Sequence, residues 1–196
     1  EWKKRFRPSK QLNWRAHHPS CCSLIVEVLA KKLGYKPPAH IKELARWLDI
    51  TDAAQFTSPR QAIGLKEPAI QLMRFIDFEA PKHRSLAWLI DLLSRYPMKK
   101  VIADRRVKGA MKSIKKEMKK AYQFYNNNLQ VHGDATLIEF GARKLIDLRF
   151  AAYRMHPRSQ YNVVVRKTSD GFKMSVGANP WRRWKNEVNI GRLLKN

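Results

Sequence analysis

Two aspartates sit three residues apart in the stretch Trp47-Leu48-Asp49-Ile50-Thr51-Asp52-Ala53-Ala54-Gln55-Phe56, at the end of a run with helical apolar spacing. A carboxylate at the end of an element is held by its backbone and can still face a cleft. That suits a hard divalent cation or a phosphoryl reaction. The same spacing fits an exposed helix end followed by an N-cap, so Asp49 and Asp52 carry both readings. A cationic set follows. Lys112, Lys115, Lys116, Lys119 and Lys120 share one face of a long helical pattern with Arg105, Arg106 and Lys108, against only Asp104 and Glu117. That exceeds what solubility asks of a helix face, and phosphates are the ligand it suits. Ser175 lies on a strand face with Lys173, opposite Phe172, Met174 and Val176, so its hydroxyl can face a cleft. Trp181-Arg182-Arg183-Trp184 interleaves rings and guanidinium groups. This pattern suits base stacking with phosphate contact, and equally an amphipathic cover over a hairpin.

Other reactive residues form no pattern. Cys21 and Cys22 are adjacent, with no further cysteine in the chain. A disulfide framework is excluded, no structural zinc site is expected without a CxxC pair, and a reducing compartment such as the cytoplasm is expected. His40, His83, His132 and His156 are scattered without ligand spacing. No phosphate-cradling glycine loop and no Ser-His-Asp order is present.

Composition narrows the partner. The 196 residues carry 40 Lys+Arg against 16 Asp+Glu, a net charge of +24, with 44% hydrophobic residues. The apolar share supports a core, and the charge favours polyanions, nucleic acid ahead of an anionic membrane. No apolar run approaches a membrane span. The chain starts at Glu1, which fits a piece of a longer protein.

The elements that must position these residues are mostly helical at first. Residues 1–19 read as a basic arm. Ser20 caps a helix with Leu24, Ile25, Val28 and Leu29 on one face, ended by Gly34. Pro37-Pro38 opens the helix that leads to Asp49 and Asp52, with Ile41, Leu44 and Leu48 inward. Ser58-Pro59 and Pro68 open two more. Leu86, Leu89, Ile90 and Leu93 form a stripe stopped by Pro97. The basic helix runs from Asp104 to about Tyr125. Past Asn126-Asn127-Asn128 the period falls from 3.6 to 2, with turns expected at Gly133-Asp134 and Asp170-Gly171 and a hairpin over 161–177. The expected architecture is α/β to α+β. A helical part over 20–126 precedes an α+β part over 127–196, the two lobes meeting near 126–128.

Three segments, taken in order, resemble the DHH phosphoesterase superfamily over most of residues 20–196. Ser20-Cys21-Cys22-Ser23-Leu24-Ile25 is similar to the small-residue helix start that follows the D-H-H motif. Asp49-Ile50-Thr51-Asp52-Ala53-Ala54-Gln55-Phe56 resembles the later metal-ligand segment, often D-T-G-x-F. Lys173-Met174-Ser175-Val176-Gly177-Ala178-Asn179-Pro180-Trp181, with Val188-Asn189-Ile190-Gly191-Arg192-Leu193-Leu194, looks like the DHH-associated C-terminal domain. The resemblance implies that Asp52 binds metal and that Ser175 and Asn179 approach substrate. It implies two manganese- or magnesium-class ions in the whole enzyme, and a nucleotide or nucleic-acid phosphodiester as substrate. The early aspartate motifs, the D-H-H triplet and the glycine-rich G-G-G-H loop have no counterpart here, and His17-His18-Pro19 abuts the helix start too closely to replace the triplet. The chain therefore reads as a fragment, inactive alone, of a metal-dependent phosphoesterase. The alternative is a catalytically degenerate, basic RNA-binding module within a ribonucleoprotein. Lys112, Lys115, Lys116, Lys119, Lys120, Arg182 and Arg183 are the expected nucleic-acid contacts.

Overall fold

The structure, a computed structural model, describes residues 18–82, 86–182 and 188–193. The expected basic arm therefore falls almost wholly outside the described residues. The chain forms two compact units, Glu1–Gln55 and Phe56–Asn196.

The first unit contains α1 (Cys21–Leu33) and α2 (Ala39–Asp52). Ser20 caps α1 by accepting from the Ser23 amide, and Gly34 ends it at φ 63°, a left-handed value that glycine adopts without steric cost. The two helices pack on each other and bury Leu24, Ala45 and Trp47. Ile25, expected inward, is exposed. A pair of helices covers only a narrow stripe, and residue 25 lies about 100° round from residue 24.

The second unit begins with helices. α3 (Pro59–Ile63) is capped by Ser58, α4 (Pro68–Glu79) starts on its proline, and α5 (Ala87–Arg95) stops before Pro97. Leu89 is buried, but Ile90 is exposed. α6 (Met98–Val101) leads to Asp104, whose carboxylate accepts from the Arg106 amide at 2.9 Å and caps α7 (Arg105–Asn128). Val107, Met111, Ile114, Met118, Ala121 and Tyr125 form the buried stripe of α7.

A four-stranded mixed sheet follows, in the order β1 (Gln130–His132), β2 (Ala135–Gly141), β3 (Tyr161–Thr168), β4 (Gly171–Ala178). The outer pairs are antiparallel. β2 and β3 are parallel, with α8 (Ala151–Met155) in the crossover between them. Gly133-Asp134 joins β1 to β2. The second hairpin turn is Ser169-Asp170, with Gly171 opening β4 at φ 135°. A last short helix, α9, spans Ile190–Leu193. Thr136, Ile138 and Phe140 put one sheet face into the core, where Phe140 meets Tyr125 edge-on at 5.6 Å. The fold class is α+β, and the change from helical to strand period falls where α7 ends and β1 begins.

The hairpin is turned opposite to its apolar pattern. Phe172 is 74% and Met174 54% exposed, while Lys173, Ser175 and Gly177 border a cavity on the inner side. A polar strand face that borders a cavity needs polar company there.

Candidate functional site

The cavity has a volume of about 370 Å3. Strands β3 and β4 form one wall through register pairs. Asn162 lies opposite Gly177, Val164 opposite Ser175, and Arg166 opposite Lys173. Like charges set directly across a pair of strands destabilise a sheet unless something negative joins them. The segment before and within α8 forms the other wall with Asp147, Arg149, Phe150 and Tyr153. Three cations, Arg149, Arg166 and Lys173, thus share the lining with one carboxylate, Asp147.

Arg166 is the most constrained of the three. Its guanidinium lies 3.7 Å above the Phe140 ring, a cation–π placement that fixes its plane. Its Nη2 stands 3.9 Å from Asp147 Oδ1, and that nitrogen is hidden from solvent without a hydrogen-bond partner. A buried donor left unmade is costly, and Asp147 is the acceptor nearest to it.

The opposite wall is held by rings and polar bonds. Phe150 meets Phe56 at 5.6 Å and Trp181 at 5.4 Å, and Trp181 meets Tyr153 at 6.3 Å, all edge-on. Trp181 also donates from Nε1 to the Phe56 carbonyl at 2.7 Å. Tyr153 donates its hydroxyl to the Gly177 carbonyl at 2.7 Å, tying α8 to β4 across the cavity. Burial pushes the Tyr153 hydroxyl well above its ordinary pKa, so it stays a donor at neutral pH. Asn162 is buried and accepts from Thr136 Oγ1 at 3.0 Å.

Among the residues singled out from sequence, Ser175 is exposed and lines this cavity. Asn179 is buried just beyond it. Its amide donates to the Ser159 carbonyl at 2.8 Å and its side-chain oxygen accepts from the Trp181 amide at 3.0 Å, so it holds the chain end of β4 in place. Arg182 donates to the Arg158 carbonyl at 2.5 Å. Arg183 and Trp184 lie outside the described residues. Trp181 belongs to the ring cluster rather than to an open stacking surface. Lys112, Lys115, Lys116, Lys119 and Lys120 are all exposed on α7, with Lys120 paired to Glu117 at 2.7 Å. Arg74, Arg149, Arg166, Asp147 and Tyr153 escaped the sequence reading.

Asp52 belongs to the first unit, as the last residue of α2, and is exposed. Asp49 is half-buried and accepts from Ser20 Oγ at 2.5 Å, so it secures the start of α1. Burial raises the Cys22 thiol above its ordinary pKa, with Asp49, then Cys21 and Asp52, adding to the effect. His18 bonds Glu27 at 2.8 Å and braces the same helix. Ala54, two residues after Asp52, has φ 52°, the left-handed value at the position where the D-T-G-x-F pattern has glycine. Among the described residues no group of three His, Cys, Asp or Glu side chains gathers to hold a metal ion. The described residues alone do not make the expected two-metal centre.

No family model matches the chain, and no curated protein sequence matches it. Among solved structures it is similar to a pGpG-specific phosphodiesterase, PggH, from Vibrio cholerae, with a TM-score of 0.70 and 18% sequence identity. The match covers 91% of this chain and 63% of that protein, so the chain spans less than two thirds of its length. The likeness is one of fold.

Proposed function

We propose that the chain is the substrate-holding part of a phosphodiesterase of the DHH type, and that the cavity between α8 and the β3–β4 hairpin binds the phosphate of a short nucleotide. One observation carries this reading. Arg166 faces Lys173 across the hairpin with Arg149 opposite, three cations on one cavity against the single carboxylate of Asp147. A phosphodiester in the cavity offsets their repulsion and accepts charge-assisted hydrogen bonds. Ser175 can add a hydroxyl donor, and Phe150 with Tyr153 an apolar wall for a base. The volume suits a mononucleotide unit rather than a duplex. The phosphodiesterase activity in the name of the similar protein fits the same class of substrate.

In this reading Asp52 gives one carboxylate to a manganese or magnesium ion, with the other ligands coming from outside the described residues. Such an ion would activate water for attack on a phosphodiester. The test is hydrolysis of pGpG by the full natural protein with manganese, beside its Asp52→Asn and Arg166→Ala variants. The reading expects turnover in the wild type, loss of kcat in Asp52→Asn, and a raised KM in Arg166→Ala. Binding of pGpG without turnover in the full protein would leave the degenerate, non-enzymatic module. Turnover that neither substitution alters would overturn both.

A further inference from the structure

Helix α7 carries a second set of cations that the cavity does not use. Lys108, Lys112, Lys115 and Lys119 follow the spacing i, i+4, i+7, i+11, which places them in one row along the helix. All four are exposed. The acids near the helix are engaged elsewhere. Asp104 holds Arg106 at 3.0 Å, and Glu117 holds Lys120 at 2.7 Å. No carboxylate forms an ion pair with the four row lysines among the described residues.

This face is built against the stability of its own helix. Like charges at i, i+4 destabilise a helix, and the pairs 108–112, 112–116, 115–119 and 116–120 are all Lys–Lys. Gly109 adds to it. It sits in the first half of α7, exposed, and a Cβ there would meet nothing within 4 Å, so no packing requires it. A glycine without a packing reason in a helix costs stability and permits close approach of a backbone to a ligand. The cost is met on the other side by the buried stripe from Val107 to Tyr125.

The row spans eleven residues, about 16 Å at about 1.5 Å per residue. That matches about five steps of one duplex strand, at about 3.4 Å each. The face presents Lys108, Gly109, Lys112, Ser113, Lys115, Lys116 and Lys119, and the ring in line with them, Tyr122, is half-buried with the Arg154 guanidinium 5.3 Å over it. Proteins that hold single strands pair a cationic groove with open rings for the bases, and this face offers charges without an open ring.

We propose that the lysine row of α7 binds the phosphate backbone of a nucleic-acid duplex, without reading its sequence. The site is separate from the cavity and does not depend on the phosphodiesterase reading. Counterion release then makes binding steeply salt-dependent, with log K falling by about 0.9 per phosphate for each unit of log salt.

The experiment is fluorescence anisotropy with the full chain and a labelled 20-base-pair DNA duplex across a salt series. The triple variant Lys112→Gln, Lys115→Gln, Lys119→Gln is expected to weaken binding at least tenfold and to make the salt slope shallower by about 0.9 for each lysine removed. A control triple of the same charge change, Lys42→Gln, Lys66→Gln, Lys99→Gln, is expected to stay within about twofold. Circular dichroism is expected to show α7 intact in the first triple, since it relieves repulsion, and binding of pGpG at the cavity is expected to be unchanged. Equal losses in both triples would mean that only net charge matters and would overturn the assignment. So would no loss in either, or equal or tighter binding of the matching single strand.

Discussion

Arg74 donates from Nη1 to the main-chain oxygen of Asp147 at 2.9 Å, across 73 residues of sequence. Arg74 is buried in α4, and Nη2 also reaches the Ala62 carbonyl at 3.5 Å. Burial pulls its pKa down, with Asp77 and Asp147 acting the other way. The bond fixes the backbone of the segment that carries Asp147, Arg149 and Phe150 into the cavity wall. Arg74→Met keeps the volume and removes the donor. It is expected to cost about 1–3 kcal/mol in urea unfolding, the range for a buried acceptor left unpaired. It is also expected to weaken pGpG binding by titration calorimetry, as the wall loosens. A variant equally stable and equally tight would show that Arg74 does not position the cavity.

Ala54 gives a prediction of the opposite sign. An L-residue at φ 52° pays a steric cost of about 1–2 kcal/mol that glycine avoids, set against the entropy glycine adds to the unfolded chain. Ala54→Gly is expected to raise stability by up to about 1 kcal/mol, read from the shift of the urea midpoint at constant slope. A loss of stability would mean that the turn after Asp52 is not held in the left-handed conformation.

The neighbours of Cys22 can be read from its reactivity. Nearby carboxylates disfavour the thiolate, so removing one lowers the thiol pKa and speeds alkylation. In a Cys21→Ser background, Asp49→Asn is expected to accelerate labelling by maleimide at pH 8, and Asp52→Asn to do so by less. If neither changes the rate, then the two carboxylates do not act on the Cys22 thiol.

The hydroxyl of Tyr153 is expected to matter for shape more than for charge. Tyr153→Phe removes its bond to the Gly177 carbonyl and is expected to cost about 1 kcal/mol in the same unfolding assay. Because burial keeps this group protonated, nucleotide binding near pH 8 to 9 is expected to show no step from it. A step that disappears in Tyr153→Phe would contradict that.

Much of the fold was legible in local residues. Ser20, Ser58 and Asp104 cap helices because their side-chain oxygens meet free amides, and Gly34 and Gly133 adopt the positive φ that ends an element or turns a strand. The buried stripe of α7 also follows from spacing alone. The face of the hairpin did not, because alternation says that two faces differ and not which one is covered. The usual rule puts Phe172 and Met174 inside, and here the polar face is inside because it borders the cavity. Counting back from the expected Asp170-Gly171 turn pairs Arg166 with Ser175; its pairing with Lys173 follows only from the observed turn at Ser169-Asp170. Arg74 and Asp147 could not be found either, since only the packing of α4 against the segment before α8 brings them together.

The central claim is that the cavity holds a nucleotide phosphate through Arg166 and Lys173. The direct measurement is titration calorimetry of pGpG into the full chain and into Arg166→Ala and Lys173→Ala. A charge-assisted hydrogen bond is worth about 1.5–3 kcal/mol, so each variant is expected to bind about 10- to 100-fold more weakly, at about 1.4 kcal/mol per factor of ten. Thermal melts are expected to show no loss of stability in Lys173→Ala, which removes one of two facing like charges, and a modest loss in Arg166→Ala, which also gives up the contact over the Phe140 ring. Wild-type affinity retained by both variants, or no binding by the wild type, would contradict the account.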